Sequence, residues 1–171
     1  MKRFVTSNMQ LGRSDAIKIY KRPFENVNEM TNTLIREWNN IVSPGDLVYH
    51  LGNFAWDPKT AQDALDRLNG NIWILPAEYD GAILALAKNG LLRPGVMLID
   101  RIKSLELMKT NLSYWPMEAW PNKHKGYYSV IGHPQKQFKS DPKKKRINVS
   151  TDLWDFKPQD LEKTLRIFKE F

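Results

Sequence analysis

The stretch Gly45–Phe54, GDLVYHLGNF, sets the frame for the rest of the chain. Leu47, Val48, Tyr49 and Leu51 form a short apolar run with β-branched and aromatic members, the composition of a buried strand. Gly45 and Gly52 bracket it. Glycine at 52 permits a sharp turn and a close backbone approach at the strand's end. A strand that ends in a polar tip at a glycine is where α/β proteins place chemistry. Here the tip is Asn53.

The segments on either side follow from periodicity and punctuation. Lys2–Ser7 reads as a first strand around Phe4 and Val5, and Asn8–Arg13 as a loop that turns at Gly12. Ser14 is positioned to cap a short helix through Tyr20, which Arg22-Pro23 breaks. Met30, Leu34, Ile35, Trp38 and Ile41 share one face of a helix over Asn28–Val42. Asp57-Pro58 opens a further helix that buries Ala61, Ala64, Leu65 and Leu68, and Asn69-Gly70-Asn71 ends it. Ile72–Leu75 is a buried strand, and Gly81–Asn89 a helix terminated by Gly90. Beyond residue 92 the pattern changes to short strands at Val96–Ile99, Ser104–Met108, Asn111–Tyr114, Tyr127–Ile131 and Ile147–Ser150, with a closing helix at Leu161–Phe168. The order β-α-α-β-α-β-α, then mostly β, then α predicts an α/β fold of mixed sheets with helices outside. No linker composition accompanies the change, so residues 1–171 read as a single domain.

Composition narrows the chemistry. The chain has no cysteine, which excludes disulfides, thiolate metal sites and cysteine nucleophiles. The N-terminus lacks an apolar run long enough for a signal peptide, and no stretch is long enough to span a membrane, so a cytoplasmic location is expected. The formal net charge is +7. Part of it sits in Lys139–Arg146, KSDPKKKR, where Lys143, Lys144, Lys145 and Arg146 read either as a solvated loop or as a salt-sensitive, sequence-independent contact to nucleic-acid phosphates. No aromatic residue is interleaved in that run, which makes it a poor stacking platform.

Polar residues gather in five loops that follow strands: Asn8 and Gln10; Asn53; Glu78, Tyr79 and Asp80; Tyr114; and His133 with Gln135. Strand-end loops of one sheet converge, so one cleft can collect them. Here the chain resembles the calcineurin-like metallophosphoesterases, in the small branch found in bacteria and bacteriophages. That branch reads S-D-x-H-F-G-H near its start, against Ser7-Asn8-Met9-Gln10-Leu11-Gly12-Arg13. Its GD-x-VYHLGDF is matched by Gly45–Phe54, and its G-N-H-D by Ala77-Glu78-Tyr79-Asp80. Tyr114-Trp115-Pro116-Met117 stands for His-Tyr-Pro-Met, and Gly132-His133-Pro134-Gln135 for G-H-x-H. The likeness runs almost the whole length, in order. It implies a single-domain sandwich of two mixed β-sheets flanked by helices.

In that family two divalent metals, such as Mn, Fe, Ni or Zn, clamp a phosphate and generate the attacking hydroxide. Carried over position by position, most ligands are replaced here. The aspartate positions are Asn8 and Asn53, the asparagine position is Glu78, and four histidine positions are Gln10, Tyr79, Tyr114 and Gln135. His133 alone is kept. Asn8 and Asn53 have the shape of aspartate without its charge, and a dinuclear site needs anionic oxygens or imidazoles against four positive charges. The resemblance therefore implies a catalytically degenerate member, with no cofactor expected and no catalytic residue assigned. It would act as a binding or inhibitory protein on a protein partner, in the host cytoplasm if the chain is viral. Two alternatives stay open: a metal-dependent phosphodiesterase or phosphatase with a rebuilt site, using Glu78, Asp80 and His133 as weak ligands, and a nucleic-acid binder.

The remaining candidates have plainer readings. Asp46 and Asp80 are expected to bond loop backbone. His50, flanked by apolar residues, reads as a core histidine, and His124 between two lysines as surface. Arg13 either contacts a phosphate or faces solvent. Trp115, Trp120 and Trp154 offer an exposed recognition surface, although a chain with six tryptophans should bury some of them.

Overall fold

Apolar residues that alternate between two covered faces build the first sheet. The computed structural model describes residues 1–134 and 138–170. Strands β1 (Arg3–Thr6), β2 (Leu47–His50), β3 (Asn71–Ile74) and β4 (Val96–Leu98) run parallel, and β9 (Gln159–Asp160) pairs antiparallel with β1, in the order β4-β3-β2-β1-β9. On one face Phe4, Val48, Ile72 and Ile74 pack against helices α2 (Val27–Asn39), α3 (Pro58–Arg67) and α4 (Gly81–Lys88). On the other face Val5, Leu47, Tyr49, Leu51 and Leu75 meet a second sheet.

That second sheet has the order β5-β6-β7-β8: Ile102–Leu105, Thr110–Ser113, Tyr128–Ile131 and Arg146–Asn148. β5 is antiparallel to β6, and the rest are parallel. Leu112, Val130 and Ile147 share one apolar cluster with Val5 and Leu51, so the two sheets close over a common core. Helix α5 (Leu161–Lys169) completes that core with Leu161 and Leu165. The result is one α/β domain of two mixed sheets flanked by helices.

Caps fix the helix starts. Asn26 accepts the Glu29 N–H, Asp57 the Thr60 N–H with Pro58 in the first turn, and Asp160 the Lys163 N–H. The short helix α1 (Ala16–Ile19) departs from expectation. Asp15, not Ser14, stands at its start, and no side chain caps it, because Arg13 holds the Asp15 carboxylate. The strand expected over Ser104–Met108 is also shifted. β5 ends at Leu105 and Glu106–Met108 forms a 3-10 turn that leads into left-handed Lys109. No helix among the described residues is long and apolar enough to cross a membrane.

Two glycines bring the strand ends together. Gly52 has φ +95°, and a Cβ there would collide with Ala77. At Gly132 a Cβ would lie 2.7 Å from the Cβ of Ser7 and 2.9 Å from that of Leu51. The second sheet thus approaches the first where β1, β2 and β7 end, and Ser7 Oγ donates to the Gly132 carbonyl at 2.7 Å.

Candidate functional site

The loops after β1 and β2 zip together first. Asn8 N–H donates to the Gly52 carbonyl and Gln10 N–H to the Asn53 carbonyl, both at 2.9 Å. Asn8, Gln10 and Asn53 all have left-handed backbone, with φ of 57°, 52° and 56°. Such conformations are costly for residues other than glycine and persist where surroundings over-determine them.

Their side chains form a directed network. Arg13 Nη1 donates to Gln10 Oε1 at 2.7 Å, which fixes the amide orientation. Gln10 Nε2 then donates to Asn8 Oδ1 at 2.6 Å and to the Tyr20 hydroxyl at 2.8 Å. Asn8 Nδ2 donates to Asp152 Oδ2 at 3.2 Å. The Tyr79 backbone N–H donates to Asn53 Oδ1 at 3.0 Å, so Asn53 Nδ2 faces the Tyr114 hydroxyl at 2.9 Å. Each amide oxygen of the three residues already accepts an N–H. Their N–H groups, which cannot ligate a cation, are in turn donated to Asp152, Tyr20 and Tyr114.

Arg22 holds this floor from below. Its guanidinium makes a fork to Asp152 at 2.7 and 2.9 Å and donates to the carbonyls of Met9 and Asn8. Its side chain is fully buried. Asp80 supports the other side. Its carboxylate accepts the backbone N–H groups of Asn53, Phe54 and Ala77 at 2.7–2.8 Å. Burial raises its pKa above the usual carboxylate range, against the pull of those donors. Asp80 is therefore a structural anchor, and its assignment as a weak metal ligand is corrected: its oxygens face loop backbone. Asp46 plays the same role for Lys2 and Ser43, whose N–H groups hold its pKa low.

Above the floor lies a cleft of about 470 Å³ lined by Tyr20, Glu78, Tyr79, Tyr114, His133 and Asp152, with Ile19 and Leu153 among its remaining walls. Tyr114 is buried; burial raises the pKa of both Tyr114 and Tyr20, so both remain phenols at neutral pH. His133 is buried beside Tyr114, Trp115 and Phe138, with ring centroids 5.2–5.4 Å away. Burial lowers its pKa, and the charge of Glu78 acts in the opposite sense.

Aromatic side chains flank the cleft. Tyr79 is 41% exposed and packs against Trp56, itself 48% exposed, and Trp115 beside His133 is 42% exposed. Arg13 does not face open solvent as one expectation had it. Its guanidinium lies over the Trp56 and Tyr79 rings, 4.4 and 4.9 Å from their centroids.

The structure thus brings together Asn8, Gln10, Asn53, Tyr79, Tyr114 and His133, with exposed Glu78 on the cleft wall. Gln135 lies outside the described residues. Lys143, Lys144 and Lys145 are exposed and Arg146 half-buried, and none of them lines the cleft. Trp120 is buried, which corrects its assignment to an exposed surface. His50 is fully buried, edge-on to Phe54. Among the described residues no group of three or more His, Asp or Glu is arranged to hold a metal ion. Sequence reasoning missed Tyr20, Arg22, Trp56 and Asp152. Trp56, three residues past Asn53, carried a positional signal.

Fold and site together define a two-sheet α/β domain with a cleft at its strand ends. No model of a known protein family matches the chain. It is 30% identical over 174 residues to the uncharacterized protein MJ1445 of Methanocaldococcus jannaschii, a match that covers 98% of this chain and 91% of that protein. The chain belongs to the family of that protein. The crystal structure of the protein of unknown function AQ665 from Aquifex aeolicus has the same fold: TM-score 0.70 at 16% identity, covering 97% of this chain and 98% of that one.

Proposed function

We propose that this chain has a calcineurin-like phosphoesterase fold whose metal site has become a hydrogen-bonded floor, and that the cleft above it binds a protein partner. The observation that carries the reading is the direction of the network. At Asn8, Gln10 and Asn53, positions where the resemblance expects ligands, every side-chain oxygen is engaged by an N–H donor. Tyr114 fills another such position with a neutral phenol hydrogen-bonded to Asn53. A floor whose amide oxygens are engaged in this way gives a cation poor ligands, and its own N–H groups are spent on Asp152, Tyr20 and Tyr114, so the groups it presents to the cleft are the two phenols.

The flanks of the cleft support the second half of the proposal. Exposed Trp56, Tyr79 and Trp115, joined by Leu153 and Ile19, form an apolar and aromatic border around a polar centre. Tryptophan, tyrosine and arginine dominate the energetics of protein interfaces. The phenols of Tyr20 and Tyr114 each accept an amide N–H and retain a proton to donate.

The test is cross-linking capture from cognate cells with wild type and with Trp56→Ala/Tyr79→Ala/Trp115→Ala, the fold of both checked by circular dichroism. One defined partner held by wild type and lost by the folded variant is expected. Retention of that partner by the variant, or no partner for wild type, contradicts the proposal.

A further inference from the structure

The basic run acquires in three dimensions an order that it lacks in sequence. Asp141 and Arg146 exchange both backbone hydrogen bonds, at 2.8 and 3.0 Å, across a tight turn. Asp141 Oδ1 accepts the N–H groups of Lys143 and Lys144, and Lys145 sits left-handed at φ 51° with its N–H on the Pro142 carbonyl. The lysines are therefore presented by a closed turn. A hollow of about 350 Å³ opens beside it, where Lys123 joins Lys143, Lys144, Lys145 and Arg146. Glu118 is the one carboxylate among its described lining residues. A second hollow of about 260 Å³ shares Lys144 and Arg146 and adds Lys139.

Trp120 lines the first hollow but offers no stacking face. It is buried, its Nε1–H is held by the Tyr127 carbonyl at 2.8 Å, and Lys123 Nζ covers its ring at 4.5 Å. It acts as a wall that fixes Lys123. Among the described lining residues the surface is thus an array of cations without an exposed aromatic platform. Such an array recognises evenly spaced phosphates and ignores base identity.

We propose that the turn Asp141–Arg146 with Lys123 binds the phosphodiester backbone of nucleic acid, independently of sequence. Among the described residues the site shares none with the strand-end cleft, so it stands or falls apart from the reading given for that cleft.

The test measures anisotropy of labelled DNA duplexes and RNA single strands of about 20 nucleotides across a salt series. Wild type is compared with Lys143→Gln/Lys144→Gln/Lys145→Asn; asparagine suits the left-handed position 145. A charge-matched control carries Lys163→Gln/Arg166→Gln/Lys169→Gln on α5. The turn variant is expected to lose at least about tenfold in affinity near 100 mM KCl and to show a shallower salt slope. The control should bind within about twofold of wild type, and scrambling the nucleotide sequence should change nothing. Wild type that binds neither nucleic acid overturns the proposal. So does a turn variant that binds as wild type does, equal loss in the control, or binding confined to inorganic polyphosphate.

Discussion

His50 illustrates how a single buried group leaves a signature in solution. Burial drives its pKa down to about 3, and its Nε2 has no hydrogen-bond partner among the described residues. The Gly52 N–H donates to its Nδ1 at 3.3 Å, so the ring proton sits on Nε2. The folded state holds the ring neutral, whereas the unfolded chain protonates it below its ordinary value near 6.5. The unfolded state then binds more protons, so this group's contribution to stability is present above that value and is lost as pH falls toward about 3. Between about pH 7 and about pH 4.5, urea unfolding should show wild type losing roughly 2–3 kcal/mol more than His50→Leu. Equal losses in the two proteins would mean that the ring is not held neutral. Residue-level roles of this kind were partly legible. A histidine flanked by apolar residues reads as core, and Asp46 and Asp80 in glycine-bounded loops read as backbone acceptors. Arg22 was not legible as an anchor, because its partner Asp152 lies 130 residues away.

At the scale of elements, the strands were read from apolar runs because the first sheet is covered on both faces. Phe4 and Val5, or Val48 and Tyr49, are neighbours that point to different cores. β9 escaped that reading. It is two polar residues, Gln159 and Asp160, held on the sheet edge by pairing with β1. The strand-end loops meet from two sheets rather than the one expected, those after β1, β2 and β3 from the first and those after β6 and β7 from the second, and Gly132 sets how closely the sheets can meet there. Gly132→Ala places a methyl against Ser7 and Leu51, both packed in the interior. It should cost about 1–3 kcal/mol in urea unfolding. A loss within about 0.5 kcal/mol would show that the sheets can separate locally.

For the molecule as a whole, sequence order and strand direction specified where a site would form, whereas its chemistry depended on side-chain hydrogen bonds between distant segments. That Asn8, Gln10, Asn53 and Tyr114 are neutral where the resemblance expects ligands was legible residue by residue. That these side chains form one network of fixed direction, held by Arg13 and Arg22, was not. The central claim, as proposed above, is that these positions form a hydrogen-bonded floor in place of a metal site. It is tested most directly by metal content and hydrolysis of bis-p-nitrophenyl phosphate after incubation with Mn²⁺. Wild type is compared with a variant carrying Asn8→Asp, Gln10→His, Asn53→Asp, Glu78→Asn, Tyr79→His, Tyr114→His and Gln135→His together. Wild type should retain well below one metal per chain and show no metal-stimulated hydrolysis. The sevenfold variant should bind metal and hydrolyse the substrate weakly, since positioning by surrounding groups is not restored with the ligands. Wild type that holds about two metals per chain, or that hydrolyses the substrate as fast as the sevenfold variant, would contradict the account.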